Sequence, residues 1–241
     1  MFVALLIALA PPVGMPVPAR AALVSETPVS PRALELARIL NPDEAMIAVG
    51  LSAFNAGWAQ QAANPENIQF EREHRGLSEA VAKTGRALLT EHLRATLPTK
   101  RERFARFFAS RFDAAEIEGL IHFYSSPTGA KLVGLMYSSI DMPKAVDTFA
   151  RPTINRGDVA VMTSNTAIHL ASTIDEKDKL ALASFSGTPL FHKLASVLPS
   201  FQQLLADMSN EPTPEFDAQM EATIKTVVSD FLSAEGAHKA K

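Results

Sequence analysis

Dipeptides in which a small polar residue precedes proline recur along this chain and constrain its fold most strongly. A Ser, Thr or Asn side chain satisfies a free backbone donor at a helix N-terminus, and proline fits the first helical position because the N–H it lacks has no partner there. Each dipeptide therefore predicts a helix start. The dipeptides are Ser30-Pro31, Asn41-Pro42, Asn64-Pro65, Ser126-Pro127, Thr188-Pro189 and Thr213-Pro214.

Acidic residues placed three positions after a cap support the same interpretation. The pairs Asn41 with Glu44, Asp113 with Glu116 and Asp175 with Asp178 have the spacing of a capping box. Between the caps, apolar residues recur every three or four positions, and no alternating β-type run is longer than a few residues. The sequence therefore predicts an all-α bundle of eight to eleven helices, built from αα-hairpins.

The middle of the chain contains a candidate internal repeat at a constant offset of 62 positions. Residues 113–132 and their counterparts share a capped helix, an aromatic, a proline-started turn, and a second helix with Lys and Leu. This pattern is expected for a duplicated αα-hairpin, although capped helices also converge on such patterns without duplication. The identical pairs are Asp113/Asp175, Leu120/Leu182, Phe123/Phe185, Pro127/Pro189, Lys131/Lys193 and Leu132/Leu194.

The N-terminus has the order of elements found in a secretory signal peptide. Residues 2–10 are all apolar, prolines follow, and Ala19-Arg20-Ala21 provides a small-x-small cleavage pattern. We therefore expect export to the periplasm or the medium with cleavage after Ala21. The predicted organisation is a signal peptide over 1–21 and a single all-α domain over 22–241. A buried N-terminal helix is the alternative for the apolar run.

Composition excludes several classes of function. The chain has no Cys, which rules out disulfides, thiolate metal sites and cysteine nucleophiles. The net charge of −3 argues against whole-surface attraction to nucleic acid. No His-Glu-x-x-His, Gly-x-Ser-x-Gly or phosphate-binding glycine loop is present. The sequence therefore predicts no cofactor, no metal site and no catalytic residue, and it favours a non-enzymatic protein.

An acidic helix leading into Phe-Tyr-x-Ser-Pro-x-Gly-x-Lys resembles the signature of domain-of-unknown-function family 2059. The resemblance covers about 104–143, with a weaker second copy at about 166–205. It implies an exported helical protein of bacteria and supplies no activity. The matching positions are Phe123, Tyr124, Ser126, Pro127, Gly129 and Lys131.

The motif has two physical interpretations. In the first, it forms the corner of a hairpin: Ser126 caps the second helix, Pro127 starts it, and Gly129 lets the helices approach closely. In the second, Tyr124, Ser126 and Lys131 line a small polar site. Glu116 and His122 are the further candidates for that site.

A basic segment rich in phenylalanine forms a second candidate surface. On a helix, its aromatic residues make one stripe with basic flanks, which suits either an anionic membrane surface or an acidic partner. The alternative is that the stripe lies in the core and the arginines form its solvated rim. The candidate residues are Arg101, Arg103, Phe104, Arg106, Phe107 and Phe108 within the segment 100–112.

Together these patterns favour an exported, non-enzymatic protein of the bacterial envelope that binds a protein or another envelope component. An envelope hydrolase or small-ligand carrier that uses the motif residues is the first alternative. A peripheral membrane protein that binds through 100–112 is the second. The sequence makes no prediction of oligomeric state.

Overall fold

A computed structural model describes residues 29–151, 153–162 and 173–239, and this part of the chain is helical with no strand. The predicted all-α fold is confirmed. The signal peptide predicted over 1–21 and part of the second copy, 166–172, lie outside the described residues. The helices with defined bounds are α1 Pro31–Leu40, α2 Asp43–Ala62, α3 Pro65–Glu73, α4 Leu77–Ala109, α5 Ala114–Tyr124, α6 Pro127–Ser138, α7 Met142–Phe149, α8 Glu176–Ser186, α9 Pro189–Ser209 and α10 Pro214–Lys239. Residues 156–162 are helical as well.

Most of the predicted helix starts are confirmed, and one is wrong. Helices begin at Pro31, Pro65, Pro127, Pro189 and Pro214, as the dipeptides predict. The exception is Asn41-Pro42, where α2 begins one residue later, at Asp43, and has no side-chain cap.

The exception arises because Asn41 acts on the preceding helix. Its side-chain amide donates to the carbonyl of Ala37 at 3.1 Å, and its backbone N–H bonds the same carbonyl. Asn41 therefore closes α1 and takes no part in a capping box with Glu44.

The long helix α4 is the element against which α1, α2 and α10 pack. Its C-terminal half carries Phe104, Phe107 and Phe108 into a first core cluster shared with α1 and α5. Its N-terminal half carries Leu77 and Val81 into a second core cluster, where they meet Phe54 of α2 and Ile224 of α10.

Two αα-hairpins follow α4 in the sequence and share three of their four helix boundaries at the repeat offset. The first is formed by α5 and α6 and the second by α8 and α9. Helix α8 begins and ends 62 positions after α5, and α9 begins 62 positions after α6. The predicted offset therefore holds for these three boundaries as well as for the identical residues, whereas α9, with 21 residues, extends beyond the 12-residue α6.

Candidate functional site

The first helix of each hairpin begins at an aspartate cap. The Asp113 carboxylate accepts a hydrogen bond from the Glu116 backbone N–H at 2.8 Å. The Glu116 carboxylate accepts one from the Asp113 backbone N–H, also at 2.8 Å. The predicted capping box is therefore complete in the first hairpin. In the second, Asp175 accepts from the Asp178 N–H at 2.9 Å, but the Asp178 side chain bonds elsewhere, so only half of the box forms.

The corner of the first hairpin is built by Ser126, Pro127 and Gly129, as the first interpretation of the motif predicts. The Ser126 hydroxyl accepts from the Gly129 N–H at 3.1 Å and donates to the Phe123 carbonyl at 2.6 Å. A Cβ at position 129 would lie 2.1 Å from that carbonyl oxygen and 2.6 Å from the Tyr124 Cα. Only glycine permits this approach of α6 to α5.

The two aromatic residues of the motif pack between the hairpins. The ring of Phe123 stacks on Phe185 with centroids 3.8 Å apart and planes inclined by 11°. Tyr124 packs edge-on against both rings. Burial raises the pKa of the Tyr124 phenol to about 12, because the phenolate would lose its hydration.

Lys131 bridges from the first hairpin to the cap of the second. Its ammonium contacts the Asp178 carboxylate and lies 3.2 Å from Asp175. The hydroxyl of the buried Thr128 donates to the same Asp178 carboxylate at 2.8 Å. Hydrogen bonds from Lys131 and Thr128 lower the pKa of Asp178, while its carboxylate raises the pKa of Lys131.

A reciprocal bridge runs from the second hairpin to the first. The Lys193 ammonium lies 2.5 Å from the Glu116 carboxylate, and this bond is the main reason that the pKa of Glu116 is lowered. Lys193 is the counterpart of Lys131 in the repeat, and Asp178 is the counterpart of Glu116. Each hairpin therefore contributes one lysine to an ion pair with the other hairpin. The Phe123–Phe185 stack likewise joins two equivalent residues.

Beside this stack, an open depression of about 380 Å³ lies between the hairpins. It is lined mainly by equivalent residues of the two hairpins, and His122 and Ser184 are exposed there. The pairs are Gly119 with Ala181, His122 with Ser184, Phe123 with Phe185, and Ser126 with Thr188, and Leu190 completes the lining.

The candidate motif residues therefore do not gather at a common polar site. Glu116 and Lys131 belong to two separate ion pairs, the half-buried Tyr124 packs against the rings of Phe123 and Phe185, and Ser126 caps α6. Lys131 pairs with residues of the second hairpin, whereas Glu118 of its own hairpin pairs with Arg32. Glu116, Phe123, Tyr124 and Lys131 join the two hairpins, whereas Ser126, Pro127 and Gly129 shape the corner of the first.

In the basic segment, the aromatic residues belong to the core. Phe104, Phe107 and Phe108 are 2%, 8% and 3% exposed, and each contacts the ring of Phe201 of α9. The arginines lie at the rim of this cluster and form ion pairs, as the core interpretation of the stripe expects. The pairs are Arg101 with Asp43, Arg103 with Glu211, and Arg106 with Glu102.

The ion-pair partners Asp178 and Lys193 were not among the residues that the sequence singled out as a site. The repeat does point to them, because Asp178 is the counterpart of Glu116 and Lys193 is the counterpart of Lys131. The reciprocal pairing follows if equivalent residues of two like hairpins meet across an approximate two-fold axis.

The geometry defines a helical protein in which two similar αα-hairpins pack face to face. Residues 101–143 match the model of a family described as an uncharacterized protein conserved in bacteria (DUF2059), which confirms the resemblance over this segment. The match ends before the second hairpin. No curated protein and no solved structure matches the chain.

None of the described helices is long and apolar enough to cross a bilayer. No group of three or more His, Asp or Glu residues suited to a metal ion occurs within 29–151, 153–162 and 173–239.

Proposed function

We propose that this protein is exported to the bacterial envelope, where it acts as a non-enzymatic binding protein whose partner is a protein or another envelope component. The depression between the hairpins carries the proposal. Its floor is formed by the half-buried rings of Phe123 and Phe185 with Leu190, and its rim carries the exposed His122 and Ser184. An apolar floor with a polar rim is the usual anatomy of a protein interface.

Small residues lie at equivalent positions of the depression. Gly119 and Ala181 occupy corresponding places in the two walls. The Leu190 side chain already packs against Gly119, where a Cβ would lie 2.8 Å from its Cδ2, so a bulky apolar side chain of the partner contacts the aromatic floor beside Ala181. Covering these rings releases water from apolar surface.

A catalytic role for the motif is poorly supported because its polar groups have structural partners. The Ser126 hydroxyl donates a hydrogen bond to the backbone carbonyl of Phe123, and the Tyr124 phenol remains protonated at neutral pH. The geometry therefore gives no support to the alternative of an envelope hydrolase or a small-ligand carrier that uses the motif residues. The membrane alternative gains none either, because it needs Phe104, Phe107 and Phe108 at the surface.

Export is tested by cell fractionation combined with the intact mass of the recovered chain. A soluble periplasmic chain that begins at Ala22 supports the proposal. A full-length chain in the cytoplasm overturns the envelope assignment.

Binding at the depression is tested by photo-crosslinking in cells. A photoreactive amino acid is placed at His122 or Ser184, and at the exposed controls Ala130 and Ala195 of the same hairpins. We expect both rim positions to give one adduct of the same mass, which the controls do not give.

A substitution pair shows whether the depression itself is responsible. Ala181→Leu fills one wall and is expected to abolish the adduct, whereas Ala195→Leu is expected to leave it unchanged. Circular dichroism confirms that both variants are folded. Equal crosslinking from rim and control positions, or an adduct that survives Ala181→Leu, contradicts the proposed binding site.

A further inference from the structure

A second cavity, of about 300 Å³, lies where five helices meet, and it shares no residue with the depression between the hairpins. Helices α2, α4, α7, α9 and α10 and the loops beside α7 and α9 form its walls, which are mainly apolar. Its volume is at the lower end of the range for small-molecule sites. The principal apolar residues are Phe54, Leu89, Val146, Phe149, Phe216 and Met220.

Lys100 of α4 is a wall residue of this cavity, and its ammonium has no hydrogen bond or ion pair to any described residue. Burial lowers the pKa of Lys100, because desolvation disfavours its charged form. Arg103 lowers the pKa further, whereas Glu211 raises it. A half-buried ammonium without a partner is costly and favours an external anion.

Of the other four charged residues that line the cavity, three form ion pairs. The Glu211 carboxylate is bound by Arg103, Arg151 lies 2.5 Å from Asp158, and Glu221 lies 2.5 Å from Lys225. The fourth, Asp217, is 3.1 Å from the hydroxyl of Thr213.

We propose that this cavity binds a small amphipathic anion, a fatty-acid-like molecule whose acidic head group pairs with Lys100 and whose chain lies among the phenylalanines. The charge of the ligand follows from the unpaired ammonium, and its apolar body follows from the walls. A fully polar anion would leave the apolar walls in contact with water, and a neutral apolar molecule would leave Lys100 unpaired.

The side of the cavity that faces solvent is formed by exposed residues. Phe149 is 39% exposed, and Arg151 and Glu211 are exposed as well. A flexible chain enters beside Phe149 without any need to open the core clusters, because the side chain already stands partly in water.

The proposal is tested by calorimetric titration of the purified chain with decanoate and with decyltrimethylammonium, both below their micellar concentrations. These probes share the alkyl chain and differ in the sign of the head group. We expect decanoate to bind at least tenfold more tightly than the cation, as a charge-assisted bond to Lys100 requires.

The decisive variant is Lys100→Met, which retains most of the apolar stem and removes the charge. We expect it to lower decanoate affinity at least tenfold while raising the urea midpoint of the ligand-free protein, because the desolvated ammonium is gone. The matched control is Lys83→Met, at an exposed position of the same helix, which is expected to change neither quantity. If Lys100→Met folds poorly, Lys100→Gln carries the same expectation for affinity.

Three outcomes overturn the proposal: no decanoate binding by the wild type, equal affinity for the two probes, or unchanged decanoate affinity in the folded Lys100 variants. None of them bears on crosslinking at the depression, because the two sites have no residue in common.

Discussion

The rings of Phe123 and Phe185 lie face to face, 3.8 Å apart between centroids, although the two residues belong to different hairpins and are 62 positions apart in the sequence. They occupy the same place in each hairpin. The stack therefore joins a residue to its own counterpart, which is the arrangement at the centre of an interface with two-fold symmetry.

Removal of either ring is expected to destabilise the protein. Phe123→Ala and Phe185→Ala should each lower the free energy of unfolding by about 2–3 kcal/mol, less than for a fully buried phenylalanine because both rings are half-buried. A double-mutant cycle should give a coupling of about 0.5–1.5 kcal/mol. Urea denaturation provides the measurement, and Leu180→Ala, at a side chain that is 72% exposed, is the control. Strictly additive effects would show that the stack contributes nothing of its own.

The two glycines of α6 are expected to respond to alanine with opposite signs. Gly129→Ala places a Cβ against the backbone of Phe123 and Tyr124 and should cost about 2 kcal/mol or more. Gly134→Ala meets nothing within 4 Å, so the better helix propensity of alanine should stabilise the protein by about 0.5–1 kcal/mol. Thermal unfolding of the two variants checks this, and a stable Gly129→Ala protein would contradict the close approach of the helices.

The ion pair at Asp178 is expected to make stability depend on pH on the acidic side. Because its folded pKa is lowered from 3.8, the contribution of the carboxylate is fully present above pH 4 and is lost as the pH falls through the folded value. Asp178→Asn keeps an acceptor for Thr128 and removes the charge. The stability difference from the wild type should therefore shrink between pH 4 and pH 2 in urea titrations. A constant difference over this range would count against the ion pair.

Both tyrosines are expected to resist ionisation in the folded protein. The chain has two, Tyr124 and Tyr137, and burial raises the pKa of each above 10. Their contribution to stability is therefore present below pH 10 and is lost as the pH rises towards 12. Ultraviolet absorbance should show phenolate only as the chain unfolds, in step with circular dichroism. An earlier phenolate signal would mean that a ring is accessible to water.

Features that depend on neighbouring residues could be predicted from the sequence. The starts of α6 and α9 follow from caps and prolines at their own positions, and the role of Gly129 follows from the turn in which it lies. The start of α2 could not be placed, because Asn41 is adjacent to two helices and its amide satisfies the earlier one. Local chemistry does not decide between such competing bonds.

Features that depend on tertiary packing could not be predicted. Lys131 has acidic residues in its own hairpin, yet it pairs across 44 and 47 positions with Asp175 and Asp178. The cavity beside Lys100 requires five helices to be placed correctly at once. In each case tertiary packing determines which residues meet. Residues that are close together in the sequence do not specify that packing.

Helix α4 consists of two halves that we expect to open as separate cooperative units. It is about 50 Å long and reaches both core clusters, with Leu77 and Val81 in one and Phe104 and Phe108 in the other. Pro98 lies between these halves and has no amide to bond the carbonyl of Arg94. The backbone ladder is therefore weakest between the clusters, so each half can open with its own neighbours while the other stays closed. Amide exchange along α4 will thus follow two protection classes with their boundary at Pro98.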